Sequence, residues 1–534
     1  MIATWQNISL AFPDKKVLEN VSLTIHPEDR IALLGDNGAG KTSLFRILAR
    51  DIPPDSGTVS FARGASVGYL EQSLARVEDS NLSCMDAALK AFAELRSLED
   101  EISEMNARLA TGAADTPRLL EELGEAQQNF EAAGGYEFRA RTESALTNLG
   151  LSEEVWPRPV SSLSAGQKVR LALAKVLLER HDLLVLDEPT NHLDVEAREW
   201  LEGELRNMDS VAAVVASHDR RFLDNVAEKV VHLDGGSMKT YPGNYSAFRR
   251  QRDERLEAEW ATYEKRQKSV KKLEKQASAY AGWSKNREKD KRGAADKGFV
   301  GHRAAKLMKR SLHAQKRLEK TIEEMETDKP FEKDAVKVEF HGKKGRTLLA
   351  AEGVAVGHEH PIAENITFAL EGGDRLAVVG PNGSGKTTLL RTILGEIEPM
   401  SGRIKTSPSA SVGYFDQENR AVEPGTPALR AVLDSGCDET LARTVMGRMR
   451  IKRDTVHKPF GDLSAGERAK ALLTRMILGE HDLLVLDEPT NYLDIETQDV
   501  LLDALSGFPG GILFVAHDRH FVEELATEVV ELGG

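Results

Sequence analysis

A glycine-rich loop that ends in Gly-Lys-Thr occurs twice in the chain, 345 residues apart. The first copy is Gly35, Asp36, Asn37, Gly38, Ala39, Gly40, Lys41 and Thr42, followed by Ser43, and the second is Gly380, Pro381, Asn382, Gly383, Ser384, Gly385, Lys386 and Thr387, followed by Thr388. Glycines let backbone N–H groups turn onto phosphate oxygens, which the N-terminus of a following helix also attracts. The lysines should neutralise β- and γ-phosphates and the threonines should bind Mg²⁺. Each copy therefore predicts a nucleoside-triphosphate site.

An acid pair ends a run of four aliphatic residues in each half of the chain, as Asp187-Glu188 and Asp487-Glu488. Such a run predicts a buried strand, so acids at its end favour chemistry over a solvated surface. We expect Asp187 and Asp487 to hold Mg²⁺ directly or through water. Glu188 and Glu488 can then orient or deprotonate the attacking water. Because both glutamates are present, the sequence predicts two working catalytic sites.

Two further polar residues are duplicated. Gln72 and Gln417 lie 345 residues apart, as the loops do, and His218 and His517 each follow an apolar strand and precede Asp-Arg. A single glutamine or histidine in such a position is usually structural, but duplication favours a role at the site. We expect the glutamines to contact Mg²⁺ and water and the histidines to bond the γ-phosphate.

Strand and helix patterns alternate around these residues. Residues 30–34, 183–186 and 211–215 are apolar runs typical of strands, and residues 43–48 continue the first loop as a helix. Near-continuous apolar strands suit a sheet that helices cover on both faces. The pattern predicts an α/β fold, present twice.

The first half of the chain carries an insertion. The offset between the halves falls from 345 residues at Gln72 to 300 at Leu163, which leaves 45 extra residues between them. Two helical patterns lie at about 78–134, and residues 74–135 hold 13 acidic and five basic side chains. The insertion is predicted to be an acidic arm, serving either packing or a basic protein partner.

Residues 265–320 reverse the charge of the chain. They hold 19 Lys or Arg against five acids, a local charge of +14 on a chain of −14. Apolar residues at steps of three, four and seven precede and follow the segment Gly282 to Gly301, which includes Trp283 and Phe299. We expect the glycines of this segment, beginning with Gly282, to break the helical pattern. We interpret this as two antiparallel helices with a basic tip, which is either a solvated spacer or a surface for nucleic-acid phosphates.

The motif Leu-Ser-Ala-Gly, at 163–166 and 463–466, resembles the signature of ATP-binding cassette proteins. The resemblance implies that two cassettes pair head to tail and sandwich two ATP. The residues that would serve the loop of the opposite cassette are Ser164, Gly166 and Gln167 for the second loop, and Ser464, Gly466 and Glu467 for the first. Adenine would stack on Phe12 in the first site, whereas the second half has Gly357-His358 there, so the two sites are expected to differ in affinity.

Two fused cassettes with a basic helical linker resemble the ABC-F branch of that family. The resemblance implies two P-loop cassette domains in tandem, at 1–240 (arm at 78–134) and 335–534, joined by a helical hairpin linker at 241–334. It further implies a monomeric ATPase on the translating ribosome, whose linker reaches rRNA and tRNA near the exit and peptidyl-transferase sites. Such a protein displaces an antibiotic or relieves stalling. The alternatives are the ATPase subunit of a membrane transporter and a DNA-bound regulatory ATPase.

Composition supports a globular protein of the cytoplasm. The chain has 534 residues, of which 40% are hydrophobic and 29% are charged, and two distant cysteines. No apolar run approaches the ~20 residues of a membrane span, and the first residues do not read as a signal peptide. Two cysteines do not form a disulfide framework, which fits a reducing compartment.

Overall fold

The computed structural model describes two units, Met1–Tyr245 with Ala335–Gly534, and Ser246–Asp334. The described residues are 1–12, 15–36, 38–71, 81–111, 116–191, 193–290, 305–306, 308–313, 316–317, 346–357, 360–416, 422–451, 454–491 and 493–533. The first unit holds two copies of one α/β arrangement. We call the copy that contains β1 to β9 cassette one, and the copy that contains β10 to β17 cassette two.

Cassette one combines a small antiparallel sheet, in the order β2-β1-β4, with a sheet in the order β5-β6-β7-β3-β8-β9. Its strands are β1 Ala3–Phe12, β2 Lys15–Ile25, β3 Arg30–Gly35, β4 Ser56–Phe61, β5 Val67–Leu70, β6 Leu183–Asp187, β7 Ala212–Ala216, β8 Lys229–Asp234 and β9 Ser237–Pro242. Its helices are α1 Lys41–Leu48, α2 Cys84–Leu89, α3 Ala93–Ala110, α4 Thr116–Ala132, α5 Phe138–Asn148, α6 Ala165–Leu178, α7 Val195–Asn207 and α8 Arg220–Val226. In the larger sheet only β9 runs antiparallel to its neighbour, among the strands described.

Cassette two repeats the plan, with sheets in the orders β11-β10-β13 and β14-β15-β16-β12-β17. Its strands are β10 Thr347–Gly357, β11 Pro361–Glu371, β12 Arg375–Val379, β13 Ser401–Thr406, β14 Val412–Phe415, β15 Leu483–Asp487, β16 Gly511–Val515 and β17 Glu528–Glu531. Its helices are α10 Lys386–Ile393, α11 Ala428–Leu433, α12 Glu439–Arg448, α13 Ala465–Leu478, α14 Ile495–Ser506 and α15 Arg519–Leu525. The predicted fold of two tandem cassettes is confirmed.

The buried strands place the functional loops at one edge. Every residue of β6, β7, β15 and β16 is buried, as their continuous apolar sequence predicts. In cassette one β7 lies between β6 and β3, all parallel. Parallel strands bring their carboxyl ends to the same edge of the sheet. The phosphate loop after β3, the acids after β6 and the histidine after β7 therefore meet there.

The insertion in cassette one contains α3 and α4, which pack against each other. Leu119, Leu123 and Phe130 of α4 are buried, and Phe130 contributes to a small core with Phe138. Leu120, which we included in the same apolar pattern, is 54% exposed. The limits of the arm stay a prediction, as do the other domain limits.

Helix α9, Tyr245–Asp290, has 46 residues, and all but the first of them belong to the second unit. It continues through Gly282, so our prediction that this glycine breaks the helix was wrong. One glycine costs a helix only ~1 kcal/mol, which the helix-forming residues around it can offset. Of the predicted return helix, residues 308–313 are helical and most of the rest lies outside the described residues, as do Phe299 and Gly301. Among the described helices, none is long and apolar enough to cross a membrane.

Candidate nucleotide sites

Each phosphate loop joins a buried strand to a helix that begins at its lysine. Gly40 and Gly385, which precede α1 and α10, have φ of 108° and 92°. A Cβ on Gly40 would lie 2.5 Å from Cγ1 of Val17, so this position needs glycine for both space and conformation. The Lys41 ammonium donates to the Gly35 carbonyl at 2.6 Å, which places it within the loop where phosphates would bind.

The threonine after each lysine faces the acid at the end of the neighbouring strand. Thr42 donates to Asp187 at 2.8 Å, and Thr387 donates to Asp487 at 3.4 Å. Burial raises the pKa of both aspartates, and the hydrogen bond from each threonine, which acts to lower the pKa, offsets only part of this effect. A divalent cation would favour the charged carboxylate. No cluster of three or more metal-binding side chains occurs among the described residues, so Mg²⁺ here would need phosphate oxygens or water as further ligands.

The second acid of each pair adopts the left-handed conformation, with φ of 54° at Glu188 and 51° at Glu488. The backbone N–H of Glu188 donates to the Ala216 carbonyl at 2.9 Å, which ties this turn to the end of β7. The conformation is unusual for a residue with a side chain, and such strain concentrates at functional sites. It aims both glutamates at the histidine that follows the next strand.

Glutamate and histidine pair in the same way in both cassettes. Nε2 of His218 lies 3.2 Å from Oε1 of Glu188, and Nε2 of His517 lies 3.2 Å from Oε1 of Glu488. The backbone N–H of each histidine also donates to Oε2 of the same glutamate at 3.2 Å. Burial raises the pKa of both glutamates to about 7 and lowers the pKa of His218. A carboxylate whose pKa is near 7 is suited to accept a proton from water at neutral pH.

The signature motifs form helix N-termini. Ser164 caps α6 in a reciprocal arrangement with Gln167, and Ser464 caps α13 in the same way with Glu467. Burial acts to raise the pKa of Glu467, but hydrogen bonds from Ser464 outweigh burial and lower this pKa. Gly166 and Gly466 lie in the first turns of these helices. Within the described part of the chain, no hydrogen bond joins either serine to the opposite phosphate loop.

Arginines connect the two cassettes in a nearly twofold pattern. Arg220, from the His-Asp-Arg segment of cassette one, donates to Asp499 at 2.6 Å and to the Ile495 carbonyl at 3.1 Å. Its counterpart Arg519 donates to Glu199 at 2.8 Å, and to a carbonyl at the start of α7 at 3.2 Å. Our sequence reasoning missed these contacts, although an arginine recurs two residues after each histidine and could have pointed to them.

Another cross-cassette contact is one-sided. Arg198 of α7 donates to Asp219 at 3.0 Å and, across the boundary, to the carbonyl of His517 at 2.7 Å. The equivalent residue of cassette two, 300 positions later, is Gln498, which bonds carbonyls of its own cassette, at Thr490 and Leu493. Because Arg198 is not duplicated, no sequence signal pointed to it.

A cavity of about 320 Å³ lies at this boundary. Cassette one contributes Asp194, Val195 and Glu196, and cassette two contributes Gly380 and His517, among other residues. The start of the second phosphate loop and its histidine therefore share a cavity with the opposite cassette. The signature residues Ser164, Gly166 and Gln167 are not among the residues that line it, so their part in a composite site stays a prediction.

Some predicted site residues are not placed. Asn37, Gln72 and Gln417 lie outside the described residues, as does His358. Phe12 is 52% exposed at the end of β1. Their roles, like the roles of the placed residues, stay predictions.

Comparisons with known proteins match the whole chain. A family model described as ABC transporter matches residues 18–191 and 363–491, and a second model with the same description matches 231–340. The ATP-binding protein YdiF of Bacillus subtilis is 36% identical over 100% of this chain and 80% of its own length. The translational throttle protein EttA of Mycobacterium tuberculosis is 32% identical (100% and 91%), and ABC transporter F family member 2 of Arabidopsis thaliana is 31% identical (99% and 76%). A solved structure described as RNase-L Inhibitor aligns with a TM-score of 0.63 at 15% identity, over 99% of this chain and 88% of that one, which shows the shared fold.

Proposed function

The chain belongs to the ABC-F family of ATP-binding cassette proteins, and on that premise we propose that it acts on the ribosome in the cytoplasm. As a member of this family it binds and hydrolyses ATP. The proposal is that closure of the cassettes on ATP, within one monomer, positions the basic linker against RNA in the translating ribosome. The translational role named for EttA, a relative of nearly the same length, supports this.

At each site we assign the glycine loop and Lys41 or Lys386 to the ATP phosphates. Thr42 with Asp187, and Thr387 with Asp487, would hold Mg²⁺, which would neutralise phosphate charge. The buried glutamate would then take a proton from the attacking water, and the histidine beside it would fix the orientation of its carboxylate. The 3.2 Å glutamate–histidine contact in both cassettes supports this assignment.

The observation that carries the ribosome proposal is the exposed charge on α9. Lys265, Lys268, Lys272 and Lys275 recur at steps of three and four, so they line one side of the helix, and Lys271 lies beside them. All five are exposed. At 1.5 Å per residue the helix extends about 70 Å. The five lysines cover about 15 Å of that length. Such a row of cations on an acidic chain suits phosphate contacts that position the protein without reading sequence.

The test replaces these five lysines by Ala and measures co-sedimentation with ribosomes over a salt series. The matched control replaces the same five by Arg, which keeps the charge. We expect the Ala variant to bind more weakly, with a salt slope reduced by up to about five, and the Arg variant to bind normally. Unchanged affinity and slope in the Ala variant would reject the proposal. Binding that DNase but not RNase removes would favour the DNA-bound alternative.

For the finer role we propose antibiotic displacement or relief of stalling near the tRNA acceptor end, with displacement favoured. Trp283 is 56% exposed on α9, where it can stack on a nucleotide for ~1–3 kcal/mol. Deletion of residues 282–301 should leave ribosome binding intact but abolish any effect on in-vitro translation with or without large-subunit antibiotics. If translation effects survive the deletion, this segment is only a spacer.

A further inference from the structure

One arginine of cassette two reaches the phosphate loop of cassette one. Nη1 of Arg450 lies 2.5 Å from Oδ1 of Asp36, the second residue of that loop, and it also contacts Glu496 of its own cassette. The Arg450 side chain is 20% exposed and that of Asp36 is 52% exposed, so the pair lies partly in solvent at the boundary. The contact joins the first ATP site directly to the opposite cassette.

The backbone at Arg450 has a matched counterpart in cassette one. Arg450 follows α12 with φ of 60°, and its N–H donates to the Gly447 carbonyl at 3.0 Å. Gly150, 300 residues earlier, follows α5 with φ of 72°, and its N–H donates to the Thr147 carbonyl at 2.8 Å. The two turns are therefore equivalent, although only cassette two places a cation there.

Asp36, the other member of the ion pair, also lacks a charged counterpart in the opposite cassette. The residue of the second loop that corresponds to Asp36 is Pro381, which has no charge. Gly150, at the matching turn of cassette one, has no side chain, and the nearest atom to a Cβ there would be Nη1 of Arg170 at 2.8 Å. The sequence thus limits this ion pair to the first site.

An acid within a phosphate loop opposes binding of an anion. The Asp36 carboxylate repels the triphosphate unless its charge is neutralised, and the neutralising guanidinium belongs to the opposite cassette. We propose that Arg450 is a positioning residue in trans, which strengthens the dependence of first-site ATP affinity on cassette closure beyond what the signature residues supply. The second site lacks this added contribution. By linkage, ATP in the first site then favours closure by the same factor.

The test replaces each residue by the one at the equivalent position of the opposite cassette. Arg450→Gly and Asp36→Pro are made singly and together in a Glu188→Gln, Glu488→Gln chain, which prevents turnover. Lys386→Ala isolates the first site, and Lys41→Ala isolates the second. Binding of a fluorescent ATP analogue is measured in each background.

We expect Arg450→Gly to weaken binding at the first site by up to about fivefold, the upper range for a partly exposed ion pair, and to leave the second site unchanged. Asp36→Pro should remove the effect of Arg450→Gly, because no carboxylate then needs neutralising. Arg450→Lys should restore most of the affinity, which a purely steric role of the arginine would not predict. Glycine suits the left-handed conformation at position 450, so the variant should fold.

An equal loss at both sites, or a loss that persists with Asp36→Pro, would overturn the inference. The inference rests on the proposed nucleotide sites, and Lys41→Ala separates the two failures. If Lys41→Ala leaves first-site binding intact, the proposed site itself is wrong. If Lys41→Ala abolishes that binding while Arg450→Gly has no effect, only the role of Arg450 is wrong.

Discussion

The two nucleotide sites agree closely in the glutamate and histidine that would face ATP. They differ in the arginines that contact each site from the opposite cassette. Glu188 and Glu488 have φ values three degrees apart, and each lies 3.2 Å from its histidine. By contrast, Arg450 contacts the first phosphate loop and Arg198 contacts the backbone of His517, and neither contact has a counterpart at the other site among the described residues. The comparison indicates that the proposed catalytic groups are duplicated, whereas the coupling between cassettes is duplicated only in part. The contacts of Arg220 and Arg519 match each other, and those of Arg450 and Arg198 have no match.

The difference has a physical basis. A residue that contacts the reacting phosphates must keep its atoms within a few tenths of an ångström, because small displacements slow the reaction strongly. A residue that acts through a backbone carbonyl or a partly exposed ion pair changes a site by a smaller factor. Two copies of one fold can therefore keep the residues that contact the phosphates and diverge in the residues that act on the site indirectly.

The largest expected effect comes from removing both carboxylates that we propose to be catalytic. Glu188→Gln with Glu488→Gln should lower ATP turnover by ~10² or more and leave ATP binding intact, since the amide cannot accept the proton from water. Steady-state hydrolysis and equilibrium binding measure the two quantities. Unchanged hydrolysis would remove the glutamates from the mechanism.

The buried glutamates also predict a pH dependence of stability, equal at the two sites. Their pKa is raised by burial to about 7, so the folded protein keeps these protons while the unfolded chain loses them from about pH 4.5. Their contribution to stability therefore falls as pH rises from about 4.5 to 7, and then stays constant. The nucleotide-free double Gln variant should gain thermal stability over the unmodified protein, more at pH 8 than at pH 5. The same gain at both pH values would show that the pKa values are not raised.

A smaller, one-sided effect is expected at Arg198. Arg198→Gln introduces the residue that cassette two has at this position and removes the bond to the His517 carbonyl. Turnover at the second site, measured with Glu188→Gln, should fall by about tenfold, near the low end for loss of one hydrogen bond to a charged group. Turnover at the first site, measured with Glu488→Gln, should fall less. Gln498→Arg is the matched control, and equal losses at both sites would contradict the asymmetry.

The sequence predicted most of the duplicated residues and missed the one-sided contacts between the cassettes. Arg220 and Arg519, which are duplicated but were missed, are the exception. The loops, acid pairs and histidines recur at fixed offsets, so repetition separated them from ordinary surface residues, and the buried strands β6 and β15 followed from continuous apolar runs. Arg198 and Arg450 occur once, and their roles depend on how two cassettes lie against each other, which no local pattern encodes. The prediction that Gly282 breaks the helix was wrong because a long helix can include one glycine.

The most direct test of two working sites is the identity of nucleotide held by each single variant. Protein is incubated with ATP labelled at the α-phosphate, separated from free nucleotide, and its bound ATP and ADP are quantified. If each glutamate serves its own site, Glu188→Gln and Glu488→Gln should each hold ATP and ADP in equal amounts, and the double variant should hold ATP alone. Single variants that hold ATP alone, or a double variant that holds ADP, would contradict two independent catalytic glutamates.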